Sequence, residues 1–192
     1  IIDLETGDQP LKNERGNLVL TGNGEIYNYV ELRRKYANYP FKTKGDMEAV
    51  LAAYQHEGIG FLKSLNGMFS LAIYDGENHS LLLVRDRLGV KPLYYSVGQD
   101  GSVVFASEIK PIFSSGLVTP EIDEAAVSSY MSHGYVPAPK TLFKGVKKIP
   151  PGHLVKINAA GELNIERYWR AEGQERLPDD ADGVAEYLSE LL

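Results

Sequence analysis

The sequence predicts an α+β fold in which antiparallel sheet is covered on both faces. Three observations carry this expectation. Two segments before residue 66 repeat apolar residues at helical spacing. From Met68 onward, short apolar runs alternate with turns, the pattern of an antiparallel meander. One of those runs, Leu81-Leu82-Leu83-Val84, is apolar on both faces, so both sides of its sheet need cover.

Taken in order, residues 17–21 read as a strand entering an Asn23-Gly24 turn. Asn28 is placed to cap a helix over 29–36, with Glu31 completing a capping box. Val30, Leu32 and Tyr36 fall toward its buried side. Lys44-Gly45-Asp46 interrupts the chain before a second helix, where Met47, Val50, Leu51 and Tyr54 recur and Gly58 supplies the stop. A short helical turn over 61–65 leads to Asn66-Gly67. Strands follow over 68–74, 80–86, 92–97 and 102–106, all read as one meander. Asp123 caps a helix over 123–133, and a Pro-rich stretch at Val136-Pro137-Ala138-Pro139 ends it. The turn Pro150-Pro151-Gly152 precedes strands over 153–158 and 163–169. Residues 170–182 are polar and read as a linker, and 184–192 as the opening of a further helix.

Composition narrows the class. In 192 residues, apolar content of 43% and charged content of 24% mark a globular chain. The net charge of −6, with only short basic runs such as Arg33-Arg34-Lys35, argues against a nucleic-acid or membrane partner. No run reaches the roughly 18 apolar residues of a membrane-spanning helix. Without an export signal the expected compartment is the cytoplasm. The start at Ile1-Ile2-Asp3 rather than Met is expected of a piece of a longer protein. Zero cysteines exclude disulfides and thiolate metal sites, and His56, His79, His133 and His153 lack metal-ligand spacing.

The stretch with most chemistry is Thr21-Gly22-Asn23-Gly24-Glu25-Ile26-Tyr27-Asn28. Asn23 offers a side-chain amide donor, and Gly24 lets a backbone N–H approach a ligand closely. Such a pair forms an oxyanion hole for acyl transfer. Local sequence alone favours a hairpin turn, with Glu25 a solvated carboxylate and Asp46 a helix N-cap. Ile1 and Ile2 pass for ordinary strand residues. Arg85-Asp86 reads as structural, with Asp86 capping the Leu88-Gly89 turn and Arg85 paired internally.

The motifs together resemble a known family. Gly7-Asp8-Gln9-Pro10-Leu11, Asn23-Gly24-Glu25-Ile26-Tyr27-Asn28, Gly45-Asp46-Met47-Glu48 and Leu65-Asn66-Gly67-Met68-Phe69 occur in its order. Arg85-Asp86-Arg87-Leu88-Gly89-Val90-Lys91-Pro92-Leu93-Tyr94, Ala106-Ser107-Glu108-Ile109-Lys110 and Pro150-Pro151-Gly152-His153 continue the series. The chain resembles the glutamine amidotransferase domain of glutamine-hydrolysing asparagine synthetases. The resemblance implies an N-terminal-nucleophile hydrolase-like fold, a four-layer α/β/β/α sandwich of antiparallel sheets. It implies a type 2 glutamine amidotransferase domain over 1–170, then a linker and the first helix of a synthetase domain over 171–192. It places L-glutamine against Ile1, Ile2, Asn23, Gly24, Glu25 and Asp46. Asn23 and Gly24 become the oxyanion donors, and Asp46 takes the substrate ammonium. The family nucleophile is an N-terminal Cys whose own amine is the base; this chain has none. No cofactor or metal is implied for this domain; ATP and Mg²⁺ belong to the synthetase domain. Lys91 and Glu108 are candidates for contact with that domain, and a homodimer is an assembly the family leaves open. Two alternatives stand beside this reading. One is the glutaminase half of a related amide synthetase or sugar-phosphate amidotransferase. The other is a nucleophile-free binding or scaffold domain.

Overall fold

The computed structural model describes residues 2–3, 5–171 and 180–191. The predicted linker therefore lies largely outside the described residues, as do Ile1 and Leu192.

A six-stranded antiparallel sheet forms the centre. It holds β1 (Leu11–Lys12), β2 (Leu18–Ile26), β3 (Gly67–Asp75), β4 (Ser80–Arg85), β8 (His153–Ile157) and β9 (Leu163–Arg167), in that order. A second sheet has the order β6 (Val103–Ala106), β5 (Tyr94–Val97), β7 (Lys147–Lys148). The described residues also hold five helices, α1 (Tyr29–Lys35), α2 (Met47–Glu57), α3 (Ile109–Ser114), α4 (Glu124–His133) and α5 (Ala181–Leu191), with a 3-10 segment at Gly58–Lys63.

Strand alternation explains the layering. Phe69, Leu71 and Ile73 of β3, with Leu82 and Val84 of β4, face α2 and bury against Val50, Leu51 and Phe61. The intervening positions face the other way. Ala72, Leu83 and Val155 form a second core with Leu93, Tyr95 and Ile149 of the second sheet and its flanks. α3 packs on β5 and β6, and its buried Ile112 belongs to neither core. The order is thus helix, sheet, sheet, helix, and the double-sided apolar strands have the cover their pattern requires. Fully burying a side chain such as Phe61 or Leu83 contributes about 1.5–3 kcal/mol.

Several local expectations give way to tertiary structure. The meander is split: β4 pairs with β8, not β5, and β5 pairs with β6 and β7 in the other sheet. Asn23-Gly24 is no turn, because β2 runs unbroken through it against β3 from Leu18 to Ile26. The Asn28 capping box is absent. The Asn28 side chain instead donates to Ser64 O at 2.8 Å and accepts from Asn66 N–H at 2.9 Å. Val30 is 39% exposed, whereas Leu32 and Tyr36 are buried as expected. The short helical turn starts earlier, at Gly58, directly after α2. Asp123 does cap α4, accepting from Ala125 N–H at 3.1 Å. Among the described residues, no helix is long and apolar enough to cross a membrane.

Candidate functional site

The site grows from one strand edge. β2 is paired with β3 along its whole length, but β1 covers its other edge only at Val19 and Leu20. Alternate residues of a strand direct their N–H to the same side, so Gly22, Gly24 and Ile26 share the uncovered edge. The β3 partner confirms the parity. Phe69 directs its N–H to Asp86 Oδ2 (3.2 Å) and takes Asp86 N–H on its carbonyl (2.8 Å), both away from β2. Gly24 and Phe69 therefore face each other as a non-hydrogen-bonded pair. On the open edge, Gly22 N–H donates to Gln9 Oε1 at 2.6 Å and Ile26 N–H to Asp46 Oδ2 at 2.7 Å. The Gly24 N–H lies between these two, directed off the sheet.

Only glycine fits there. Gly24 has φ of 143°, and an added Cβ would sit 2.0 Å from the Met68 carbonyl oxygen. Asn23 projects from the opposite face to Leu20 and Ile26 and donates to Ser107 Oγ at 3.2 Å.

Asp46 owes its place to a braced loop. Glu48 is buried and accepts from Lys42 N–H, Thr43 N–H and the Thr43 hydroxyl at 2.7–3.1 Å. Arg33 donates to Thr43 O (2.7 Å) and Gly45 O (3.2 Å) while lying 4.0 Å above the Phe41 ring. This corrects the N-cap reading of Asp46, whose side chain makes no cap bond to α2. Its Oδ2 reaches across to β2, and its Oδ1 accepts no hydrogen bond among the described residues.

A cavity of about 380 Å³ opens over this edge, and Ile2, Asn23, Gly24, Glu25 and Asp46 all line it. Five of the six residues singled out from the sequence are thus brought together; the sixth, Ile1, lies outside the described residues. Gln9, Met47, Met68 and Lys91 also line the cavity. The Asp86 carboxylate accepts from the Lys91 N–H (2.9 Å) and the Arg85 Nε–H donates to its carbonyl (2.9 Å), which sets Lys91 in the cavity wall. Glu108 does not line it. Asp3 closes the cavity on the N-terminal side. The Thr6 hydroxyl, the Thr6 N–H and the Lys44 N–H hold its carboxyl well below the usual carboxylate range. The Lys44 bond, at 2.8 Å, ties this segment to the loop before Asp46. A smaller cavity of about 240 Å³ adjoins at Gly22 and Asn23, between the sheets. Among the described residues, no His, Asp and Glu grouping could hold a metal ion.

Chemically, the arrangement offers the Asn23 amide and the Gly24 N–H edge beside one cavity, a carboxylate with an open oxygen, and room for a small polar molecule. That suits a carbonyl that gains negative charge beside a group that carries positive charge.

Comparison with known proteins gives the family. Residues 1–169 match the family model described as a glutamine amidotransferase domain. Asparagine synthetase [glutamine-hydrolyzing] 1 of Bacillus subtilis (strain 168) is 41% identical over 173 residues, covering 89% of this chain and 27% of that protein. Asparagine synthetase B [glutamine-hydrolyzing] of Escherichia coli (strain K12) is 42% identical over 132 residues, covering 68% and 23%. The chain thus spans about a quarter of the length of these relatives. Among solved structures, glutamine phosphoribosylpyrophosphate amidotransferase from B. subtilis superposes with a TM-score of 0.61. It is 21% identical and covers 85% of this chain and 32% of that one, a likeness of fold.

Proposed function

The chain belongs to the glutamine amidotransferase domain family, and on that premise we propose that it is the glutaminase half of an ATP-dependent asparagine synthase. In this reading it hydrolyses L-glutamine and supplies ammonia for amidation of aspartate. The observation that carries it is the meeting of Asn23, Gly24 and Asp46 on one cavity, with one Asp46 oxygen left open.

The chemistry follows from the placement. A thiolate attacks the side-chain carbonyl carbon of glutamine, and the carbonyl π electrons move onto oxygen. That oxyanion accepts hydrogen bonds from Asn23 Nδ2 and Gly24 N–H, which are worth more to the charged intermediate than to the neutral amide. The amine that took the thiol proton returns it to the leaving nitrogen, and collapse expels ammonia and leaves a thioester, which water hydrolyses to glutamate. Asp46 holds the substrate α-ammonium by charge-assisted hydrogen bonds and so selects free glutamine. Ile2 and Glu25 complete the wall around it. The 192 residues contain no cysteine, so the thiol must come from chain outside them.

We assign residues 1–170 to the amidotransferase domain and 171–192 to a linker and the first helix of a synthetase domain. No cofactor is assigned to the amidotransferase domain; ATP and Mg²⁺ belong to the synthetase portion. The much greater length of the asparagine synthetase relatives supports that division. The lack of cysteine favours a second reading, a domain that binds glutamine without cleaving it. One experiment separates them. Ammonia release from L-glutamine is measured with the parent protein carrying the sequence upstream of Ile1. Turnover abolished by thiol alkylation supports the glutaminase; glutamine binding without turnover supports the second reading.

A further inference from the structure

The Gln9 side chain belongs to neither core, yet it makes three hydrogen bonds to two neighbouring residues of β2. Its Oε1 accepts from Gly22 N–H (2.6 Å) and from the Thr21 hydroxyl (3.1 Å), and its Nε2 donates to Gly22 O at 3.0 Å. The amide thus engages both the N–H and the C=O of Gly22, as an opposing strand residue would. Gln9 is exposed, so burial does not explain its ordering.

Its position does. β1 ends its pairing at Leu11 opposite Leu20, which leaves the Gly22-Asn23-Gly24 stretch without a strand on that edge. Two glycines in three residues make this backbone soft. Gln9 holds Gly22 two residues before Gly24, and Asp46 holds Ile26 two residues after it. A side chain at position 24 would strike Met68 O, so glycine must carry this N–H. The backbone carrying both donors is therefore bracketed on the cavity side by two side chains.

We infer that Gln9 is a positioning residue for the oxyanion donors: its side-chain amide extends the sheet by one residue and fixes the direction of the Gly24 N–H. The inference rests on the glutaminase reading. A misplacement of about 1 Å in such a site costs on the order of 100-fold in rate, so the effect belongs in kcat.

The test uses the parent protein carrying Gln9→Ala and, separately, Gln9→Glu. Glutamine hydrolysis is measured as kcat and KM, alongside melting temperature and amide hydrogen exchange at Gly22. Gln9→Ala is expected to lower kcat at least about tenfold, to leave KM within a few-fold, and to speed exchange at Gly22. Gln9→Glu keeps an acceptor for the Gly22 N–H and the Thr21 hydroxyl but sets a carboxylate oxygen against Gly22 O, so it is expected to lower kcat as well. Unchanged kcat in Gln9→Ala overturns the inference, as does a raised KM at constant kcat, which would make Gln9 a substrate contact. Unchanged Gly22 exchange overturns it as well. An unsubstituted parent that binds glutamine without turnover overturns the glutaminase reading instead, and the exchange measurement still decides whether Gln9 clamps β2.

Discussion

Asn23-Gly24 and Asn66-Gly67 are the same dipeptide in two settings, the first inside β2 and the second at the start of β3. Asn66 uses both backbone groups: its N–H donates to Asn28 Oδ1 (2.9 Å) and its carbonyl accepts from Tyr27 N–H (2.8 Å). Gly67 then opens β3 opposite Ile26. At the other copy, the Asn23 amide makes one bond, to Ser107 Oγ, and the Gly24 N–H is directed off the sheet edge. The buried carboxylates repeat the contrast. Asp86 accepts four N–H groups, from Leu88, Val90, Lys91 and Phe69. Asp46 accepts one and keeps an oxygen for the cavity. A motif is therefore structural or functional according to which of its polar groups the fold already satisfies.

The contrast can be broken most strongly at Asp86. Asp86→Asn presents one acceptor oxygen and an NH₂ to four N–H donors, and is expected to destabilise the fold by about 3 kcal/mol. A urea midpoint unchanged from the parent would contradict the structural role. Next come the two glycines. Gly24→Ala brings a Cβ to 2.0 Å from Met68 O, and Gly67→Ala to 2.2 Å from Glu25 O. Each should lose about 2 kcal/mol or more by the same measurement.

Asp46→Asn sharpens the comparison from the other side. The amide oxygen can still accept from Ile26 N–H, so stability should change by less than about 1 kcal/mol. The substrate ammonium loses its charged partner, so KM for glutamine should rise about tenfold or more. Equal losses of stability in Asp46→Asn and Asp86→Asn would erase the distinction. The smallest effect is on pH dependence. Burial pushes the Tyr54 hydroxyl up to about 12, with the Asp75 charge adding to it, and burial does the same for Tyr39. Burial and then the Asp86 charge raise Tyr168, which donates to Arg85 O at 2.8 Å. These hydroxyls stay protonated in the fold at a pH where unfolded tyrosines ionise. Their contribution is complete below the ordinary 10.0 and is lost as pH rises from there through about 12. Thermal melts across that window should show falling stability; a flat profile would argue against burial of these rings.

The layers were legible because periodicity reports burial directly. Leu81 to Val84 needed cover on both sides and has it, Gly58 ends α2, and Asp123 caps α4. Pairing was less legible, because β4 and β8 are joined across a long stretch of sequence that no local pattern spans. The Asn23-Gly24 turn and the Asn28 cap failed for one reason. Both rest on local chemistry, and a nine-residue register with β3 and the Ser64–Asn66 contacts override it. At the site, family motifs identified the residues that surround the cavity. Gln9 stands in one of those motifs, yet its role was not legible there, since an exposed amide in a polar segment looks the same whether or not it clamps a strand. Lys91 was placed by the Asp86 turn, which only the fold aligns with the cavity.

The central claim is that the two Asn-Gly copies differ in function. Its most direct test is ammonia release from L-glutamine by the parent protein carrying Asn23→Ala or Asn66→Ala. Removing an oxyanion donor at Asn23 should lower kcat on the order of 100- to 1,000-fold, while Asn66→Ala should stay within about threefold, since the Asn66 bonds are made by its backbone. Similar kcat values for the two variants would contradict the claim.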